Sequence, residues 1–232
     1  MPPANMNSTH ESFGRGSVMQ AGSGKKKGPD SMAQQANQIY ERLEERAIAE
    51  SNELNRRVAQ CRLCRRGDFI PTVGSGHPFA DIVLVKRAPC YLEVTEGVAF
   101  YGRSGSAVLK SVEKLGLDPL LIYGTNLVKC AGVDEREGEA NCPHFFLEEL
   151  HIAQPKLLVI MGESVLEVLN RNLVPGQKVL IWSPGEIQEF SHFCSALVTP
   201  DIDEALDDRR AKVAFWRAFR AVGDWFQDEP PY

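Results

Sequence analysis

Short runs of apolar residues alternate with amphipathic segments along most of this 232-residue chain, and this alternation limits the folds that it can adopt. The apolar runs have the length of buried strands, and the segments between them carry apolar residues at helical spacing. Buried strands that alternate with helices predict an α/β fold of three layers, in which helices cover both faces of a mostly parallel central sheet. The predicted strands are 82–85, 121–123, 157–161, 179–182 and 196–198, and the predicted helices are 106–115, 145–152, 164–169 and 210–226.

The part of the chain before the first predicted strand divides in two. Residues 1–31 are rich in Gly, Ser, Asn and Lys and show no apolar periodicity, which predicts a disordered tail. Residues 32–60 are mostly good helix formers with apolar side chains at roughly helical spacing, so a long amphipathic helix is predicted there. Residues 61–232 are then expected to form the α/β domain.

Cysteine usage and charge narrow the class of protein. The chain has six cysteines, and the sequence shows neither a secretory signal nor an apolar run of the roughly 20 residues that span a bilayer. We therefore expect a cytoplasmic, monomeric protein without a membrane segment, whose cysteines serve metal or redox chemistry rather than disulfides. The net charge of −5 does not indicate nucleic-acid binding, although a small basic face is compatible with it.

Four of the cysteines are spaced as a metal centre requires. Cys61 and Cys64 form a pair in which two intervening residues let both thiolates turn onto one centre. Cys130 follows a predicted strand, and Cys142 lies twelve residues further on. A zinc ribbon usually has a second tight pair, whereas this looser spacing favours a 4Fe-4S cluster, whose irons take ligands from separate directions. A zinc site and four buried cysteines without a metal are the alternatives.

Several stretches resemble motifs of the iron–sulfur uracil-DNA glycosylases, family four of that superfamily, from about Cys61 to Trp225. The order of the cysteines is similar. Residues 97–105, Gly-Val-Ala-Phe-Tyr-Gly-Arg-Ser-Gly, resemble the family's Gly-Arg-Pro-Phe-Val-Gly-Arg-Ala-Gly. Residues 125–130, Thr-Asn-Leu-Val-Lys-Cys, resemble its Thr-Asn-Val-Val-Lys-Cys, and residues 86–90, Lys-Arg-Ala-Pro-Cys, stand where it has Gly-Glu-Ala-Pro-Gly.

The resemblance implies a DNA repair protein that hydrolyses the N-glycosidic bond of a deaminated base flipped out of DNA. Such a protein must clamp the base between apolar groups and read its Watson–Crick edge. The resemblance makes Phe100 the ring that stacks on the base and Asn126 the group that reads its edge. The loop at Ala88 and Pro89 would approach the base, and Glu93 aligns with an acidic position implicated in the hydrolysis step.

Each of these roles has a structural alternative. Phe100 could be an ordinary core residue, Asn126 could hold a turn, and Glu93 could be a solvated loop residue. The resemblance also implies that Cys61, Cys64, Cys130 and Cys142 hold a 4Fe-4S cluster that stabilises the fold near the DNA.

Departures from the family's motifs bear directly on catalysis. Lys86 and Arg87 replace its Gly-Glu, so side chains are expected to narrow the base pocket where the family has bare backbone. Thr199 stands where the family has a histidine that supports the leaving uracil anion, and loss of such a donor typically costs about 10²–10³ in rate. A catalytically inactive or repurposed member that binds nucleic acid or a protein partner is therefore the alternative to an active glycosylase.

Positive charge near the candidate site suggests contacts to DNA. Lys86, Arg87 and Arg103, together with Thr199, are possible DNA contacts, and the cations would bind phosphates with a salt-sensitive affinity. Arg103 could instead pair with an acid of the domain. Asp201 and Asp203 follow Thr199 closely, and carboxylates near phosphates would oppose binding.

Overall fold

The computed structural model describes residues 29–66 and 69–228. The chain divides into two units, residues 1–38 and residues 39–232, and of the first unit only the opening turns of a helix are described. The tail predicted over residues 1–31 lies outside the described residues as far as residue 28, and residues 29–31 are helical. The division of the chain into tail, helix and α/β domain stays a prediction.

Helices and strands alternate through the rest of the chain. The helices are α1 (Pro29–Gln60), α2 (Tyr91–Glu96), α3 (Arg103–Lys114), α4 (Glu135–Asn141), α5 (Pro143–Ala153), α6 (Glu163–Arg171), α7 (Ile202–Asp207), α8 (Arg209–Phe219) and α9 (Ala221–Asp228), with a 3-10 turn at Pro119–Leu121. The strands are β1 (Ser75–Gly76), β2 (Ile82–Lys86), β3 (Ile122–Asn126), β4 (Leu157–Met161), β5 (Ile187–Ser191) and β6 (Cys194–Thr199). No helix of the described residues is long and apolar enough to cross a membrane.

The strands form one sheet in the order β1-β3-β2-β4-β6-β5. Its four central strands are parallel, while β1 and β5 pair antiparallel at the two edges. Every residue of β2, β3 and β4 is buried, as expected for parallel strands that are covered on both faces. The predicted α/β fold with a mostly parallel sheet is therefore confirmed.

Alternate residues of the central strands enter two separate cores, one on each face of the sheet. On one face, Val83 and Val85 pack with apolar residues of α5 and α6. On the other face, Ile82 and Leu84 pack with apolar residues of α3, α8 and α9. This alternation has a period of two along each strand, so it also fixes which face a residue at a strand end belongs to.

The predicted strand at 179–182 is wrong, and β5 lies at Ile187–Ser191 instead. Leu180 is buried, but Val179 and Ile181 on either side of it are exposed. Side chains bind the backbone here in place of a neighbouring strand: Leu180 N–H donates to Asn170 Oδ1 at 3.0 Å, and its carbonyl accepts from Asn170 Nδ2 at 2.8 Å. This apolar run therefore contributes one buried side chain, that of Leu180, and does not form a strand.

Two predicted helices differ from the structure in extent. The single helix predicted at 210–226 is two helices, α8 and α9, interrupted at Arg220, and residues on both sides of the break, Phe219 and Val222, reach the core. In α1, Ala47, Leu54 and Val58 are buried, whereas Ile39, Leu43 and Ile48 are exposed.

Candidate active site and cysteine pocket

Residues at the carboxyl ends of the parallel strands form a row across one edge of the sheet. Lys86 lies in register with Asn126 on one side and with Met161 on the other, and Met161 lies in register with Thr199. Since in-register residues of parallel strands point to the same face, these side chains lie on the face that packs against α3 and α8. In open α/β sheets this edge is where ligands bind.

Phe100 covers this face from the loop between α2 and α3. Its backbone adopts the left-handed conformation, with φ of 56°. The ring lies against Gly124 of β3, where an added Cβ would come within 2.7 Å of Phe100 Cδ2. Gly124 lies two residues before Asn126 on the same strand, so ring and amide share one face. The structure therefore places Phe100 and Asn126 on the same face of the sheet, and their roles toward a base stay predictions.

Asn126 is fully buried and leaves one hydrogen-bonding atom free. Its Nδ2 donates to Thr72 Oγ1 at 3.1 Å, while its Oδ1 is one of two buried side-chain atoms of the described residues without a partner, the other being Ser104 Oγ. A buried acceptor without a partner costs about 1–3 kcal/mol. The free Oδ1 is therefore prepared to accept a hydrogen bond from a ligand that enters this face.

Glu93 is fully buried at α2, and its oxygens are held by the surrounding loop. Cys90 N–H donates to Oε2 at 2.6 Å, and Phe100 N–H donates to Oε1. Lys86 Nζ lies 2.8 Å from Oε2. These contacts favour Glu93 as the residue that fixes the strained turn at Phe100. Its predicted role toward water in the hydrolysis step stays a prediction.

Lys86 is buried, which argues against the predicted phosphate contact through its side chain. Its ammonium donates to Asp203 Oδ2 at 2.7 Å and to Ala88 O at 3.2 Å, in addition to its ion pair with Glu93. Burial by itself lowers the pKa of Lys86, but the charges of Asp203 and Glu93 outweigh burial and hold that pKa above its ordinary value. The ammonium lies 5.9 Å from the centre of the Phe100 ring.

Ala88 and Pro89 belong to the loop after β2, which runs beside the end of β3 and lies near the row of residues at the carboxyl ends of the strands. Leu127 N–H donates to Lys86 O and Val128 N–H donates to Arg87 O, each at 2.8 Å. The Ala88 carbonyl accepts a hydrogen bond from Lys86 Nζ. The predicted contacts of Ala88 and Pro89 with a base stay predictions.

The remaining predicted DNA contacts differ in exposure. Thr199 is fully buried, and its hydroxyl donates to Pro200 O at 3.1 Å, which argues against a contact between this side chain and DNA. Arg87 is half-buried and pairs with Glu135 at 2.6 Å. Arg103 is exposed and pairs with Asp207 at 2.7 Å, so it remains within reach of a phosphate.

The loop after β6 carries the two aspartates that follow Thr199. Asp201 is the N-cap of α7, since its Oδ1 accepts from Asp203 N–H at 2.7 Å and from Glu204 N–H at 3.4 Å. Burial raises the pKa of Asp201 above its ordinary value. Asp203 turns toward Lys86 rather than toward solvent alone, so both carboxylates of this loop bind groups of the domain.

The four cysteines predicted to hold a cluster line one pocket. Cys61 and Cys64 follow α1, Cys130 follows β3, and Cys142 lies between α4 and α5. Lys129 N–H donates to Cys142 Sγ at 3.2 Å, and Asn141 Nδ2 donates to Cys64 Sγ at 3.6 Å. All six cysteines of the chain are free.

The four thiols of this pocket are donors that both a zinc ion and an iron–sulfur cluster can take. Among the described residues no group of three or more His, Cys, Asp and Glu side chains is arranged to hold one metal ion. A cubane cluster places its cysteines on four separate irons, so its thiolates lie further apart than those around one ion. Burial raises the pKa of Cys142 to about 11, and burial also raises the pKa of Cys130. Binding iron would therefore require these thiols to lose their protons.

A buried charge network that sequence reasoning missed lies on the opposite face of β3. Lys129 Nζ contacts Glu149 Oε2 and Thr125 Oγ1, each at 2.6 Å, and Tyr123 Oη donates to Glu149 Oε1 at 3.2 Å. Burial raises the pKa of Tyr123 well above its ordinary value, and the charge of Glu149 adds to this effect. Lys129 itself is buried inside the domain.

Replacing Lys129 with methionine should lower the free energy of unfolding by about 3–5 kcal/mol, because Glu149 would keep a buried charge without its cation. Urea denaturation followed by circular dichroism measures this change. The matched control is Lys178→Met, which removes an exposed partner of Glu189 and should cost less than about 1 kcal/mol. Equal effects of the two changes would contradict the assignment of a buried, structural ion pair.

Hydrogen bonds connect the cysteine pocket with Asn126. Thr72 accepts from Asn126 through Oγ1, and the same hydroxyl donates to Lys129 O at 3.2 Å. Lys129 in turn donates its backbone N–H to Cys142 Sγ. Thr72 stands in no motif of the sequence, and the only sign of its role is that it is fully buried. These hydrogen bonds therefore link the position of Cys142 to the position of the Asn126 amide.

Comparison of the sequence with known proteins identifies the family of this chain. The sequence profile of the uracil DNA glycosylase superfamily matches residues 73–220. A type-4 uracil-DNA glycosylase of Sulfurisphaera tokodaii is 26% identical over 180 residues, which cover 69% of this chain and 82% of that protein. A type-4 uracil-DNA glycosylase of Thermotoga maritima is 30% identical over 136 residues, which cover 55% of this chain and 68% of that protein. This chain therefore belongs to the uracil DNA glycosylase superfamily, as a divergent member of its type-4 family.

Proposed function

We propose that this protein is a DNA repair glycosylase that hydrolyses the N-glycosidic bond of a deaminated base, with uracil as the first candidate. The observation that carries the proposal is the free, buried Oδ1 of Asn126 beside the ring of Phe100. The relatives of this chain are named type-4 uracil-DNA glycosylases, which supports the same reaction. DNA with a flipped base is the substrate that such a site would take.

The chemistry of uracil suits this pair of residues. A flipped base would stack on the Phe100 ring, and stacking on an aromatic side chain is tolerant of the base's identity. Selection would come from Asn126, whose Oδ1 accepts the N3–H of uracil. Cytosine has no proton on N3, so it would leave the buried acceptor without a partner. Loss of such a hydrogen bond is a strong basis for rejecting an analogue.

Hydrolysis breaks the bond between C1′ of the sugar and the ring nitrogen of the base. The electron pair of that bond leaves with the base, and water adds to C1′. Glu93 contributes by fixing the backbone of Phe100, so the stacking ring is in place before the base arrives. Preorganisation of this kind supplies orientation without cost during the reaction.

We propose a 4Fe-4S cluster in the cysteine pocket, held by Cys61, Cys64, Cys130 and Cys142. Such a cluster would tie the end of α1, the loop after β3 and the junction of α4 and α5 to one inorganic centre. Its contribution would be structural, because the hydrogen bonds through Lys129 and Thr72 connect this pocket with Asn126.

A second candidate function follows from Lys86 and Thr199. The side chain of Lys86 lies on the face where the base would bind, and Thr199 supplies a buried hydroxyl at the position of the family's histidine. The second candidate is therefore a protein that retains this fold and binds DNA without cleaving the glycosidic bond.

An excision assay distinguishes the two candidate functions. Single- and double-stranded oligonucleotides that carry uracil, hypoxanthine or xanthine are incubated with excess protein, and abasic sites are then cleaved with alkali. We expect product from the uracil substrate and none from a matched oligonucleotide with cytosine. DNA binding without any product from the three deaminated bases would support the binding module instead.

A further inference from the structure

The ammonium of Lys86 has three hydrogen-bond acceptors, and one of them differs from the others. Glu93 Oε2, at 2.8 Å, and Ala88 O, at 3.2 Å, belong to the buried frame of the site. Asp203 Oδ2, at 2.7 Å, belongs to a side chain that is 40% exposed. An ammonium has three protons to donate, so Asp203 occupies the one position on Lys86 that an incoming molecule could take by displacing a partly solvated group.

The same ammonium lies beside the groups that would hold a flat ring. Lys86 is in register with Asn126, so both side chains point to the face covered by Phe100. Asn126 Oδ1 offers an acceptor, and Lys86 Nζ offers a donor. A ring that presents an N–H next to a C=O matches this pair, and uracil and hypoxanthine both carry that arrangement on the edge that is read.

The charges around Lys86 favour an anion at the position of Asp203. Glu93 is fixed by two backbone N–H groups and stays in place. If Asp203 turned into solvent, the remaining buried pair would be neutral, and the ammonium would have one proton without an acceptor. An oxygen that gains negative charge during a reaction would then find the cation of Lys86, whose side chain is buried and whose interactions are therefore stronger than in water.

We propose that Asp203 is a displaceable occupant of the base site, and that Lys86 takes a carbonyl oxygen of the flipped base in its place and stabilises the charge of the leaving base. This inference rests on the proposed function. As the bond from C1′ to the ring nitrogen breaks, its electron pair passes to the base and is shared with that carbonyl oxygen, which Lys86 binds without losing its proton. Water adds to C1′ and releases its proton to solvent, and the base later takes a proton from solvent.

Single-turnover excision of uracil tests the role of Lys86. Lys86→Met should lower the rate constant by about 10²–10³, as removal of one donor to a developing anion does in other enzymes. Lys86→Gln retains an N–H donor for Glu93 but lacks the positive charge, and it should lose nearly as much. Thermal melting shows which variants remain folded. An unchanged or faster rate in a folded Lys86 variant would mean that the side chain only fills the pocket, which would overturn the proposal.

Asp203→Ala tests the displacement, with Glu204→Ala as the matched control because it removes an exposed carboxylate from the same helix. The probe is a duplex with 2′-fluoro-2′-deoxyuridine, whose glycosidic bond resists hydrolysis, compared with the same duplex containing 2′-fluoro-2′-deoxycytidine, which has no proton on N3. Asp203→Ala should increase the preference for the fluorinated uracil duplex about tenfold, since a hydrogen bond to a charged group contributes about that factor. Glu204→Ala should leave the preference unchanged. Equal effects of both alanine changes would contradict a specific displacement.

The two readouts separate failure of this inference from failure of the proposed function. If the wild type excises uracil and Lys86→Gln excises it at the same rate, the role of Lys86 is refuted and the glycosylase function stands. No excision by the wild type refutes the glycosylase function and, with it, the catalytic role of Lys86. The binding preference then decides alone whether Lys86 contacts the base: a loss in Lys86→Gln supports the contact, and no loss refutes it.

Discussion

Changing any one of Cys61, Cys64, Cys130 and Cys142 to alanine should remove the iron of the proposed 4Fe-4S cluster. A 4Fe-4S cluster binds one thiolate on each of its irons, so loss of any ligand exposes an iron and destabilises the whole cluster. Wild-type protein purified without oxygen should be brown, with a broad visible absorption band and about four irons and four sulfides per chain. Each variant should lose most of the absorption, the iron and the yield of folded protein.

Two other cysteines provide matched controls for this experiment. Cys90 is at the N-cap of α2, and Cys194 opens β6; neither lines the pocket of the four cysteines. Cys90→Ala and Cys194→Ala should therefore keep the colour and the iron content of the wild type. A colourless wild-type protein that holds zinc would contradict the cluster, as would loss of iron in either control.

Asn126→Ala should reduce uracil excision by about 10²–10³, the effect of removing one well-placed hydrogen-bonding group in other active sites. Phe100→Ala should weaken the reaction by a smaller factor, because stacking of a base on an aromatic ring is worth about 1–3 kcal/mol. The measurement is the single-turnover rate constant as a function of protein concentration, which separates binding of the DNA from bond cleavage.

The controls for these changes are residues of the same type away from the site. Asn172 binds the Val168 carbonyl at the end of α6, and Phe193 is 83% exposed in the turn between β5 and β6. That turn precedes β6, so it lies at the edge of the sheet opposite the candidate site. Asn172→Ala and Phe193→Ala should excise uracil at the wild-type rate. If Asn126→Ala retained full activity, the base would have to be read by another group.

Local patterns in the sequence were enough to predict the layers of the fold and the position of Asn126 after a strand, whereas the grouping of Phe100 with Asn126 was implied by the resemblance to the family. The spacing of apolar residues in strands and helices can be seen within a short stretch of sequence. Parallel strands, in addition, must all end at the same edge of a sheet. A residue at the end of a predicted strand is thereby placed at the candidate site. The apolar run at 179–182 shows the limit of this reasoning, because Asn170 and Gln188 bind its backbone in place of a neighbouring strand.

The sequence by itself determined that this chain is an α/β protein of the glycosylase type with four cysteines in the order of an iron–sulfur family. Only the tertiary structure decided what the charged residues do. Lys86 and Lys129 are cations that would ordinarily face solvent, yet each is buried against carboxylates distant in the chain. The physical reason is that burial of a charge depends on partners brought close by folding, as Asp203 is brought to Lys86 across 117 positions of the chain.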